Sequence, residues 1–190
     1  MTVTFNPDRV AHFEAAGWRA YYDRRWLAVL MLMARLCQEQ FHIPFPLSLV
    51  AALHVARASI AWAPVDHDEA AVERHLARFY RMARRYSGLR FEPRRAAALE
   101  LRYWAEHRRL VGQDDKTPFL NALIDLHSHL FDLSPDEARE SAEYRVEASN
   151  TVDRITGHLS SDPEADWARL EADLVRCYRS VVTKSRAHSS

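Results

Sequence analysis

The first segment of the chain places charged and aromatic side chains on one side of a helix that is otherwise apolar. The run from Trp26 to Cys37 is apolar nearly all round, which predicts a central helix with neighbours on several sides. Steps of four and three residues mark the unusual face, formed by Glu14, Trp18, Tyr21, Arg25, Ala28, Leu32, Arg35, Glu39 and His42. Carboxylate, phenol, guanidinium and imidazole groups on one face can bind a polar ligand or a metal ion.

Glu39 and His42 have the spacing that lets a carboxylate and an imidazole on one helix bind the same metal ion. Di-iron helical bundles of the ferritin-like type use two such Glu-x-x-His steps together with two further glutamates. This chain contains one such step. His42 also stands in the last turn of its helix, where the helix dipole favours a protonated histidine without any metal. Glu39 and His42 are therefore either a pair of metal ligands or structural residues, with His42 at a helix end beside core ion pairs.

A second carboxylate and imidazole, Glu100 and His107, lie seven residues apart with Trp104 between them on the same side of a helix. The pair resembles the first ligand pair of the haem-oxygenase-like di-iron oxidases, which are helical bundles of similar size. That resemblance implies an iron or manganese site, for which this chain offers Glu39, His42, Glu100 and His107. The family's later His-x-x-x-Asp-x-x-His motif has no equivalent spacing among Asp125, His127, His129 and Asp132. Alternatively, Glu100 and His107 hydrogen-bond neighbouring side chains.

Arg145 interrupts an apolar helical stripe made by Ala138, Ala142, Ser149, Val152 and Ile155. A buried arginine needs a carboxylate partner, because an isolated charge is very costly to remove from water. The candidate partners are Glu14, Glu39, Glu100 and Asp153. Arg145 either forms a structural ion pair or clamps an anionic ligand.

These residues favour a ligand-binding or protein-interaction module with a semi-polar interior, without a metal or cofactor, over an enzyme. The predicted ligand-binding residues are Glu14, Trp18, Tyr21, Arg25, Trp104, His107 and Arg145. The alternative is a di-metal oxidase that uses the carboxylates and histidines. No pairing of a nucleophile with a base stands out, and the four glycines form neither of the common phosphate-binding loops.

The elements that position these residues are predicted to be helices. Abundant Ala, Leu, Glu and Arg with few glycines favour an all-α, single-domain bundle of about seven helices over residues 1–190. The first helix is predicted to run from Pro7 to His42, with a bend at Gly17, because about 54 Å of straight helix would cross the whole molecule. Proline, glycine and capping signals predict the other helices near 46–62, 69–86, 93–111, 117–131, 135–155 and 163–182, with a disordered tail at 183–190.

The formal net charge is zero, but the charge is distributed unevenly along the chain. Residues 74–95 hold eight arginines and one acid, whereas residues 132–173 hold twelve acids and four arginines. These segments can pair within one chain or across a homodimer. The neutral total argues against a membrane partner and against nucleic acid, although arginines interleave with aromatics from Arg78 to Phe91.

Cys37 and Cys177 both fall inside predicted helices and are interpreted as buried thiols of a reducing compartment. The first residues lack the basic and apolar regions of a signal peptide, and no uncharged apolar run reaches about 20 residues. We therefore expect a cytoplasmic protein.

Overall fold

A computed structural model describes residues 3–187, and this part of the chain forms eight α-helices. Their bounds are α1 Pro7–Tyr22, α2 Trp26–Phe41, α3 Leu47–Trp62, α4 Glu69–Ser87, α5 Pro93–Leu110, α6 Thr117–Phe131, α7 Pro135–Thr156 and α8 Pro163–Ala187. Several helices begin where the sequence predicts, at capping residues followed by proline. Ser134 and Glu137, for example, form a complete capping box in front of α7.

Each helix packs against the one that follows it, and α8 returns to pack against α1. Because the connecting loops are short, consecutive helices run in opposite directions and form a closed ring. Leu76, Phe119, Leu123, Leu170 and Leu174 are among the side chains buried at its centre. The predicted all-α helical bundle is thus confirmed.

The prediction of one long N-terminal helix is wrong, because the chain reverses at Asp23, Arg24 and Arg25. Arg24 adopts a left-handed backbone conformation, with φ of 58°, and α2 then packs back along α1. Three consecutive charged residues have no apolar side chain to bury, so this is where the helix can end at little cost. Gly17, the predicted bend, lies buried inside an uninterrupted α1.

The last helix extends further than the sequence suggested. Residues 183–187 continue α8, and Ser185 is buried, with its hydroxyl accepting a hydrogen bond of 2.9 Å from the backbone N–H of Val3. The rest of the predicted disordered tail lies outside the described residues. Within residues 3–187, no helix is both long enough and apolar enough to span a bilayer.

We predict that Gly17→Ala stabilises the protein by about 0.4–1 kcal/mol, because alanine restricts the unfolded chain and has a higher helix propensity. A Cβ atom at this position would meet only the end of the Met33 side chain, at 3.9 Å. Urea unfolding of the variant measures the effect. Gly112→Ala is the contrasting variant: space is open there, but φ is +74°, so alanine should cost about 1–2 kcal/mol. Destabilisation by Gly17→Ala would show instead that α1 needs a flexible point.

Candidate functional site

A buried ion pair between α7 and α1 lies at the centre of the bundle. The guanidinium of Arg145 donates from both terminal nitrogens to Glu14, with Nη2 at 2.6 Å from Oε1 and Nη1 at 2.8 Å from Oε2. The two side chains are only 13% and 8% exposed. Of the four candidate partners for Arg145, the structure therefore selects Glu14, in the two-pronged geometry that strengthens such pairs.

Aromatic side chains surround this pair. The hydroxyl of Tyr178, on α8, donates to Oε2 of Glu14, and the guanidinium lies 5.1 Å from the ring centre of Trp18 and 6.0 Å from that of Tyr103. Burial opposes the charge of Arg145, but Glu14 and the neighbouring tyrosines keep the pKa of the guanidinium well above its ordinary value. Arg145 consequently stays charged at every pH at which the protein is folded.

A second carboxylate, Glu100 on α5, lies next to the ion pair with hydrogen-bond donors of its own. Its Oε2 accepts from the Tyr80 hydroxyl at 3.0 Å, and its Oε1 accepts from Nε1 of Trp104 at 2.9 Å. Burial raises the pKa of Glu100, and the nearby Arg145 opposes this shift only in part. We call the seven side chains Glu14, Trp18, Tyr80, Glu100, Trp104, Arg145 and Tyr178 the central network.

The structure brings together only some of the predicted ligand-binding residues. Glu14, Trp18, Trp104 and Arg145 belong to the central network. Tyr21 and Arg25 lie at the surface, because the chain reversal after α1 moves them away from the interior. His107 lies outside the network: its Nε2 is 3.1 Å from Asp153, and its ring stacks on that of Phe119. The predicted single binding face is thereby split among three places.

The alternative metal ligands do not converge either. Glu39 bonds Arg9 at 2.9 Å and accepts from the backbone N–H of Asn6, whereas His42 contacts the Thr4 hydroxyl. Glu100 and His107 have separate partners on α4, α5 and α7. Among residues 3–187, no group of three or more His, Cys, Asp or Glu side chains is placed to hold a metal ion.

Sequence reasoning missed the tyrosines of the central network. Tyr80 and Tyr178 are buried on helix faces that are otherwise apolar, at 3% and 6% exposure. A buried tyrosine needs a hydrogen-bond partner for its hydroxyl. Two buried tyrosines are therefore a signal that hydrogen-bonding groups such as carboxylates lie within the same interior.

Most hydrogen-bonding groups of the central network are already bonded to other side chains of the network. The described surface pockets of about 460 and 290 Å³ lie elsewhere, one beside Arg95 and His129 and the other beside Asp115 and Glu147. Arg145 keeps a single buried nitrogen, Nε, without a hydrogen-bond partner in residues 3–187. The hydrogen bonds of the network join α1, α7 and α8 around Glu14 and Arg145, and they join α4 to α5 through Tyr80 and Glu100.

The other unusual feature is the outer surface of the α2–α3 hairpin. Large apolar side chains are exposed there, from 38% to 75%: Trp26, Leu27, Met31, Leu47, Val50, Leu53 and Ile60. We call these seven residues the α2–α3 outer face. The buried residues of α3 are Ser48, Ala51, Ala52 and Ala58. The fully buried side chains of this helix are therefore small, and four of its large apolar side chains are exposed, although Val55 and Trp62 pack against the core. A surface helix usually buries its large apolar side chains.

The basic and acidic segments predicted to pair lie on different helices of the ring. Five carboxylates of the acidic segment bond residues outside the basic segment: Asp153 with His107, Glu164 with Arg19, Asp166 with Arg154, Glu171 with His12, and Asp173 with Arg176. The arginines of α4 remain exposed. Pairing between the two segments of different chains stays a prediction.

Comparison of this chain with protein-family models, curated proteins and solved structures finds no match. Its function is therefore inferred from the geometry of the chain itself.

We predict that Glu14→Ala destabilises the protein by about 3–5 kcal/mol, because it leaves the Arg145 charge buried without a partner. Glu39→Ala is the matched control. Its partner Arg9 is 63% exposed, and we expect a loss of about 1 kcal/mol or less. The double variant Glu14→Leu with Arg145→Met should lose less stability than either single change, because both charges are removed together. Denaturant unfolding measures each variant, and equal losses at Glu14 and Glu39 would contradict the assignment.

A second prediction follows from the raised pKa of Glu100. Between the ordinary glutamate pKa of about 4.3 and the raised value, the folded state binds a proton that the unfolded state has lost. The stability of the protein relative to Glu100→Gln should therefore fall as pH rises through this window and then level off. Stability measured by urea unfolding at a series of pH values tests this, and a difference that is independent of pH would contradict it.

Proposed function

We propose that the protein is an interaction module that docks through the α2–α3 outer face. The observation that carries the proposal is the inverted burial of α3, with alanines and a serine inside and Leu47, Val50, Leu53 and Ile60 outside. Exposing such side chains to water is unfavourable by about 25 cal/mol for each Å². A partner that covers them recovers this free energy on binding.

The size of the α2–α3 outer face supports docking. With about 200 Å² for a fully exposed large side chain, its seven residues present on the order of 700 Å² of apolar surface. The largest apolar patch on a typical monomer covers about 300–600 Å² and often has a function. A stable protein interface buries about 800 Å² on each partner, so this face alone is close to a complete binding surface.

The surface of α2 continues that of α3. The buried residues of α2 are confined to its second half, from Ala34 to Phe41. Its first half presents Trp26, Leu27 and Met31, which are 60%, 75% and 42% exposed. A helix that is apolar on several sides is expected to have neighbours on several sides. Within residues 3–187, α2 packs against α1, α3 and α4, and its first half stays exposed on the remaining side, which supports an external partner.

The other proposals made from the sequence have less support. A small-molecule site at Arg145 would have to displace Glu14, which already occupies both terminal nitrogens of the guanidinium. A di-metal oxidase would have to bring together Glu39, His42, Glu100 and His107, which have separate partners. The cytoplasmic location and the homodimer remain predictions.

Cysteine labelling tests the docking surface without knowledge of the partner. The native thiols Cys37 and Cys177 are 1% and 0% exposed, so a cysteine introduced at the surface is the one that reacts. We expect Ile60→Cys to react with a membrane-permeant maleimide several-fold more slowly in cells that express the protein than in the dilute purified protein. The reason is that a docked partner covers position 60.

Leu159→Cys, in the loop between α7 and α8, is the matched control. Leu159 is 77% exposed and Ile60 is 72% exposed, so the two cysteines should react alike in the isolated protein. Protection of position 60 alone supports the proposed docking surface. Equal labelling of the two positions in cells and in the purified protein would overturn it.

A further inference from the structure

The charged groups on α2, α3 and α4 and their connecting loops are positive in sum. Residues 23–95 hold twelve of the 24 arginines and seven acids, Asp23, Glu39, Asp66, Asp68, Glu69, Glu73 and Glu92, a net charge of +5 with histidines neutral. Some of the acids neutralise arginines: Asp23 lies 3.3 Å from Arg25, Asp68 lies 3.5 Å from Arg74, and Glu39 bonds Arg9. The arginines of this side of the molecule therefore outnumber its carboxylates, and part of their charge has no carboxylate partner.

Arginines continue from the apolar face onto the neighbouring helix. On α4, which packs against α3, Arg74, Arg78, Arg81 and Arg85 follow one another at helical spacing and are all exposed. Arg57 is exposed between Leu53 and Ile60 on α3. Within the described part of the chain, Arg57, Arg78 and Arg81 contact no carboxylate, whereas Arg74 lies 3.5 Å from Asp68. The apolar face thus has a row of free guanidinium groups along its α4 side.

An aromatic cluster occupies the end of the face at the turn between α1 and α2. The rings of Tyr21 and Tyr22 are 5.3 Å apart, and those of Tyr21 and Trp26 are 5.6 Å apart. All three side chains are 45% to 60% exposed, next to Arg24 and Arg25. Tyrosine and tryptophan are enriched at the boundary between lipid headgroups and acyl chains, where one end of the ring is apolar and the other meets water.

The charge pattern argues against a second copy of the chain as the occupant. A symmetric contact through the α2–α3 outer face brings the same surface of each copy together. Both copies would then contribute Arg35 and Arg57 to one interface, and the acid of residues 24–65, Glu39, is already paired with Arg9. Complementarity instead requires a partner that is both apolar and negatively charged.

We infer that the occupant of the α2–α3 outer face is the surface of an anionic lipid bilayer. Large apolar side chains such as Leu27 and Ile60 enter the boundary below the headgroups, while arginines of α3 and α4 contact lipid phosphates. The planar guanidinium group suits this contact, because it can donate two hydrogen bonds to one phosphate. This inference rests on the proposed docking function and names its partner.

Vesicle binding tests the lipid. The full-length protein is mixed with vesicles of phosphatidylcholine alone, or with about one third phosphatidylglycerol, and the bound fraction is measured by sedimentation. We expect binding to the anionic vesicles at least about tenfold stronger than to the neutral ones, and weakening as salt rises, because the arginine contacts are screened. An environment-sensitive dye on Ile60→Cys should shift to shorter wavelength on binding, and the same dye on Leu159→Cys should not.

Matched variants separate the two contributions. Arg57→Gln should weaken binding to anionic vesicles about fivefold, the effect of one basic residue near the surface. Arg139→Gln, which removes another exposed arginine, on α7, should leave it unchanged. Ile60→Glu should abolish binding that Leu159→Glu preserves. Circular dichroism confirms that each variant keeps its helices.

The outcomes also distinguish this inference from the proposed function. Equal binding to neutral and anionic vesicles, no binding to either, or equal effects of Arg57→Gln and Arg139→Gln would overturn the lipid partner. If position 60 is still protected in cells, the docking function stands with a protein partner. Sedimentation velocity then shows whether that partner is a second copy, and an Ile60→Glu variant that dissociates a dimer would assign the face to self-association.

Discussion

The fold depends on the neutralisation of one buried guanidinium. Removing the charges of Arg145 and Glu14 from water costs several kcal/mol for each ion, and only a close two-pronged pair with further hydrogen bonds compensates for this. Glu14 comes from α1, Arg145 from α7 and Tyr178 from α8, so the three helices must meet in one register. Helices with similar apolar faces could slide along one another. The need to keep Arg145, Glu14 and Tyr178 in contact limits how far they move.

The same constraint leaves the interior with few free groups for binding a ligand, which favours the surface of the protein as its binding site. Arg145 and Glu100 are the groups that a ligand or metal would use, and both are already bound by side chains of the chain. The α2–α3 outer face has the opposite character, since its large apolar side chains are 38% to 75% exposed. A polar interior whose groups are paired and an apolar exterior that is exposed support the proposal that the protein docks through its surface.

Much of this fold could be predicted from local signals. The capping box at Ser134 and the need of Arg145 for a carboxylate follow from short-range sequence and from the cost of burying charge. The reversal at Arg24 could not, because a charged residue is compatible with both a helix and a turn, and tertiary packing decides between them. Periodicity also shows which apolar residues of α3 share a face, but it does not show whether that face is covered. The exposure of Ile60 could therefore be seen only in the structure.

The neutral total charge argued against a membrane partner, but a total does not describe how the charge is distributed over the surface. Salt screens charges over about 8–10 Å at physiological ionic strength, roughly the diameter of one helix. An anionic surface that meets α3 and α4 therefore interacts with Arg57, Arg78 and Arg81 and with the acids at the start of α4, Glu69 and Glu73. It interacts only weakly with the acids of α7 and α8, such as Glu143 and Glu171. Because electrostatic attraction depends on the charge within this distance, a neutral protein with segregated charges can bind an anionic surface in one orientation.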